Sequence, residues 1–106
     1  MATKNVYQVT SVKLTIQKSK PPVVQVTAEG TVRTGGWTNP QLQAVVYITP
    51  PVDGIQDLNF VADEPYGGST DAITKITSEE LDLGRVADWM KGVRVIAETN
   101  QKEELF

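Results

Sequence analysis

A chain of 106 residues with ten Lys and Arg against thirteen Asp and Glu, formal charge −3, fits one domain and leaves no room for a second core. It contains no Cys and no His, which excludes disulfides, thiolate or imidazole metal sites, a Cys nucleophile and a His-based serine triad. No basic stripe marks a nucleic-acid footprint, and no apolar run approaches the roughly 18 residues of a membrane span.

Residues 6–18 read as a first strand, with Val12, Leu14 and Ile16 on one face and Lys13, Thr15 and Gln17 on the other. Tyr7 and Val9 hold the opposite parity. A straight strand of this length would run ~43 Å, against a diameter of ~34 Å for a compact domain of this size. Both arguments place a bulge or bend near Thr10 and Ser11. After Pro21-Pro22, Val24, Val26, Ala28 and Val32 mark a second strand. Residues 35–40, Gly-Gly-Trp-Thr-Asn-Pro, form a loop by composition.

A third strand is expected over 41–49, with Leu42, Ala44, Val46 and Ile48 inward. Val45 and Tyr47 on its other face suggest a central position. Pro50-Pro51 ends it, and Asp53-Gly54 has the form of a type I′ turn. A fourth strand covers about 55–62, with Leu58, Phe60 and Ala62 inward, before a second loop over 63–71. Residues 72–77 suit another strand. Thr77-Ser78-Glu79-Glu80 matches a capping box, and Leu83, Val86, Ala87 and Met90 fall on a helical stripe that ends at Gly92. These signals predict a short helix near 83–91, with Trp89 and Met90 packed inward and Arg85 and Asp88 paired in solvent. Residues 92–98 make a last strand, and 99–106 a frayed polar tail.

The sum is a mainly β, single-domain antiparallel two-sheet sandwich over 1–106, with about six strands and one short helix. Even turn punctuation resembles an immunoglobulin-like pattern, although the Cys–Trp–Cys spacing of true immunoglobulin domains is absent.

Two groups of residues are candidates for contact. Trp37 follows two glycines and Tyr66 precedes two; such loop aromatics can stack on carbohydrate or anchor a protein partner, or else fold back and cap the sandwich. Asp63, Glu64 and Asp71 offer oxygens that a weak loop calcium site could use, without the spacing of a dedicated calcium loop. Asp53 and Asp57 extend that carboxylate set, but their turn positions and solvent-type neighbours read as ordinary surface charge. Gly67-Gly68-Ser69-Thr70 lacks the phosphate-loop pattern, and the terminal Glu103-Glu104-Leu105-Phe106 is a tail that a peptide-binding module could capture.

The expected function is therefore a non-catalytic binding or structural module without a cofactor, joining a protein partner or carbohydrate through Trp37 and Tyr66 and the free edge of a proline-bounded strand. The alternatives are a small carboxylate-dependent enzyme acting on a sugar, or a homo-oligomeric structural protein. Residues 1–5 lack the regions of a secretory signal, which fits the cytoplasm or an exported domain whose signal has been removed.

Overall fold

A computed structural model describes residues 3–20, 22–65 and 72–106. Among these residues nine strands follow in chain order: β1 Thr3–Asn5, β2 Gln8–Gln17, β3 Val23–Val32, β4 Thr38–Ala44, β5 Ile55–Asp63, β6 Thr74–Thr77, β7 Leu81–Arg85, β8 Gly92–Ile96 and β9 Gln101–Leu105. They form two packed sheets, one holding β1, β4, β5, β8 and β9, the other β2, β3, β6 and β7.

Alternation explains the core. On β3, Val24, Val26, Ala28 and Val32 are buried while Gln25, Thr27 and Glu29 face outward. Leu58, Phe60 and Ala62 of β5 and Val93 and Val95 of β8 complete the opposite face of the same cluster. Each fully buried Val, Leu or Phe contributes roughly 1.5–3 kcal/mol, so these inward positions carry the fold. Gly30 sits where β2 approaches most closely: a Cβ there would run into the Gln8 carbonyl and lie 3.2 Å from the Phe60 ring.

The N-terminal segment serves both sheets. β1 pairs with β5 through Thr3↔Asp63 to Asn5↔Val61, whereas β2 pairs with β3. The crossing at Val6 and Tyr7 is held by the β8–β9 turn, whose Glu98 N–H donates to Val6 O at 2.8 Å and Thr99 N–H to Tyr7 O at 3.0 Å. The expected bulge is present, since the β2–β3 register shifts between Val9 and Ser11. Beyond it, Asn100 joins the sheets: its side-chain oxygen accepts the Val9 N–H at 2.8 Å and its amide donates to Val9 O at 2.9 Å.

Several expectations fail for identifiable reasons. No helix occurs among the described residues, and 81–85 form β7 against β3. Within the expected capping box, Thr77 ends β6 and the Ser78 hydroxyl accepts the Ala28 N–H at 2.9 Å, while Ser78 N–H donates to Ala28 O at 2.8 Å. Gly84 then adopts φ 65° at a β-bulge, with its N–H bonded to the Asp82 carboxylate at 2.7 Å. The tail is no frayed end: residues 101–105 form β9, paired with β8 from Ile96↔Gln101 to Gly92↔Leu105. The sandwich is not wholly antiparallel, because β5 and β8 run parallel from Ile55↔Gly92 to Asn59↔Ile96.

β4 also differs from the third strand expected. It ends at Ala44, bulges around Asn39 (φ 54°), and pairs among the described strands only with β5. Ala44, Val46 and Ile48, expected inward, are exposed. The turn beyond them closes from Gly54 N–H to Pro51 O at 3.1 Å, centred on Val52-Asp53 and leaving Gly54 alone at φ 72°. It is therefore not the type I′ pair, which needs positive φ at both central residues.

Candidate functional site

Of the sequence-predicted contact residues, Trp37, Asp63 and Glu64 fall within the described part of the chain. Trp37 is half-buried against the core, and its indole N–H donates to Thr34 Oγ1 at 2.9 Å. A Cβ on Gly36 would lie 3.3 Å from Pro65 Cβ, so the Trp37 loop and the start of the second loop adjoin. Tyr66 and Asp71 lie outside the described residues. Asp63 accepts a 2.7 Å hydrogen bond from Thr3 Oγ1, and Glu64 pairs with Lys4 at 2.9 Å. Among the described residues no cluster of three metal-ligating side chains is found.

A different loop stands out. Between β4 and β5, Val46, Ile48 and Val52 expose 92%, 103% and 108% of their surface, as much as in an extended chain. Isolated exposed aliphatics are ordinary, but three within seven residues, interleaved with Pro50 and Pro51, make a local apolar projection.

Its base is fixed. Val45 N–H donates to Asp57 O at 3.0 Å, and the buried Gln56 amide donates to Val45 O at 2.8 Å and to Asp57 O at 3.0 Å. The Tyr47 hydroxyl accepts the Asp57 N–H at 2.9 Å, and its ring meets Trp89 edge-on at 6.0 Å and 88°. Burial pushes the Tyr47 hydroxyl above its ordinary pKa, which keeps it neutral. Trp89 is placed by the turn that closes from Met90 N–H to Ala87 O at 2.9 Å, and a Cβ on Gly54 would lie 2.8 Å from Trp89 O. Trp89, expected to pack inward from a helix, is instead half-buried outside the main core cluster, with its ring on Tyr47.

Arg94 ties this base to the outer face of the five-stranded sheet. Register puts Asp57, Arg94 and Glu103 in one row across β5, β8 and β9. The guanidinium reaches Asp57 at 2.8 Å, Glu103 at 3.0 Å and, from the turn, Asp53 at 3.0 Å. The Ile55 N–H and Arg94 together hold the Asp53 carboxyl below its ordinary pKa. A general acid needs the opposite shift, so Asp53 is held in its ionised form and braces Arg94.

The apolar tip was not legible from the strand pattern, because Val46 and Ile48 continue the alternation of Leu42 and Ala44. Pro50-Pro51 was the available signal, marking where pairing with β5 must stop. Comparison with family models, curated proteins and solved structures yields no match.

Proposed function

We propose that this chain is a non-catalytic binding module that docks on a protein partner through its β4–β5 loop. The observation that carries the reading is the near-complete exposure of Val46, Ile48 and Val52 above a base fixed on both sides. Aliphatic tips favour a protein partner over carbohydrate, which is recognised by aromatic stacking and hydrogen bonds. Trp37 is the lesser candidate, since its ring packs on the core and its N–H is satisfied by Thr34. The enzyme alternative gains no support from Asp53, Asp57, Asp63 and Glu64, each engaged by a cation or a hydroxyl. Two packed sheets support an immunoglobulin-like architecture within this reading, and the parallel β5–β8 pair counts against it.

The test places a photo-crosslinking residue at Ile48 in the living host, with the same label at exposed Glu80 as control. A discrete adduct at Ile48, lost in a Val46→Ser/Val52→Ser background of unchanged stability, is the expected result. Equal labelling from both positions, or an adduct indifferent to the serines, refutes the loop as the contact.

A further inference from the structure

β2 is paired along one side. Its ladder with β3 runs from Gln8↔Thr31 to Gln17↔Val23, and among the described residues no other strand pairs with it. The direction of its peptide groups follows from Ala28, whose N–H and C=O both bond to Ser78, away from β2. Val12, opposite Ala28, is therefore in a pair whose polar groups point apart. The same holds two and four residues on, at Leu14 opposite Val26 and Ile16 opposite Val24. The N–H and C=O groups of Val12, Leu14 and Ile16 make an open edge about 13 Å long.

The fold itself demonstrates what this edge accepts. At Val9, on the same side of β2, the Asn100 amide takes the N–H and C=O at 2.8 and 2.9 Å, as the backbone of an added strand would. Beyond Val9 no such plug is present among the described residues.

Side chains along the edge specify the occupant. On the outer face Lys13, Thr15 and Gln17 stand opposite the uncharged Thr27, Gln25 and Val23, and Lys18 and Lys20 are exposed just past the strand. None of these lysines forms an ion pair among the described residues. From Val12 to Lys20 the chain holds Lys13, Lys18 and Lys20 and no Asp or Glu. The one carboxylate of the β2–β3 ladder, Glu29, stands opposite Ser11, so this stretch of the edge is basic in a chain that is acidic overall. On the inner face Val12 and Leu14 are half-buried and Ile16 remains 42% exposed.

We infer that the outer edge of β2, from Val12 to Gln17, binds an extended peptide of alternating acidic and aliphatic residues as an added strand. Its acidic side chains face Lys13 and its aliphatic ones lie beside Leu14 and Ile16. A second copy of the chain fits less well, because two-fold pairing about Leu14 sets Lys13 diagonally against its own copy. This surface is separate from the β4–β5 loop, so either proposal can fail alone.

The experiment titrates a blocked hexapeptide of alternating Glu and Val into labelled full-length protein, following amide shifts and exchange. Saturable shifts and slowed exchange at Val12, Leu14 and Ile16 below about 1 mM peptide are expected, weakening with salt. Ile16→Pro deletes one outward N–H and leaves the Thr15 and Gln17 rungs with β3; it should weaken binding about tenfold. Lys13→Glu should shift the preference to a Lys-Val peptide, and it keeps the test decisive should the proline variant not fold. Unmoved β2 amides, equal binding of both peptides by the unaltered protein, or binding indifferent to Lys13→Glu overturns the inference. So does a dimer whose β2 amides are protected without peptide.

Discussion

Replacing Gly84 by Ala separates the strand from the helix that the sequence predicted over the same residues, because the two structures require opposite signs. In a helix, Gly→Ala stabilises by about 1 kcal/mol. In the structure Gly84 has φ 65° at the β7 bulge, where a side chain costs about 1–2 kcal/mol. No atom lies within 4 Å of the Cβ that Ala would add, so no clash adds to this backbone term. Ala also narrows the unfolded ensemble, which offsets part of the penalty and leaves a net loss of about 1 kcal/mol. With ~2.1 cal/mol/K per residue, a chain of 106 residues has an unfolding entropy of about 0.22 kcal/mol/K. The Tm of Gly84→Ala should therefore fall by about 5 °C, whereas a helix would raise it by a similar amount. Gly84→Asn should recover much of the loss, since Asn tolerates this backbone region. Thermal unfolding followed by far-UV circular dichroism reads both variants, and a rise in Tm for the alanine protein would refute the bulge.

Two further outcomes follow from named contacts. Asn100→Ala leaves both polar groups of the fully buried Val9 unpaired and should cost about 2–4 kcal/mol, read from the denaturant midpoint at unchanged m-value; a loss under about 0.5 kcal/mol would show that the sheets do not depend on this junction. The Asp53 carboxyl, held below its ordinary pKa by Ile55 and Arg94, contributes stability above about pH 4 that is lost as pH falls through its folded value. Asp53→Asn should flatten that acid limb, and a carboxyl titration midpoint at or above about 3.9 in the folded protein contradicts the brace.

Where one face of a strand is buried, its pattern was readable. Val24, Val26, Ala28 and Val32, and Leu58, Phe60 and Ala62, all fall inward as their alternation requires. The Thr10 bulge was readable from the parity switch between Val9 and Val12. The accompanying length argument was weaker, because the molecule extends 49 Å along its longest axis and could have held a straight strand. What escaped the sequence was decided by partners distant in the chain. Ser78 has the chemistry of a helix cap and of a strand-bridging hydroxyl; Ala28, 50 residues away, selects the second. The last residues look like a polar end until Asn100 is seen across from Val9, a contact spanning 91 residues. Val46 and Ile48 have strand-like alternation but no neighbour to pair with once β5 has begun at Ile55.

The same reasoning bears on the proposed docking role of the β4–β5 loop. A flexible apolar loop would lose backbone freedom on docking, at roughly 1–2 kcal/mol per residue fixed. Here Val45 and Tyr47 are tied to β5 on one side, and the Pro51–Gly54 turn is tied to Lys91 and Arg94 on the other. Only Ile48, Thr49 and Pro50 lie between these anchors, and the proline already fixes its own φ. Most of the ordering is thus achieved when the domain folds, and the proposed partner would meet a preformed surface. Tyr47→Phe tests that separation of roles. It removes the acceptor of the Asp57 N–H without altering the exposed tips, and so should weaken the Ile48 crosslink while Val46, Ile48 and Val52 remain in place. Undiminished crosslinking in this variant would show that the tips alone suffice and that the base contributes only to stability.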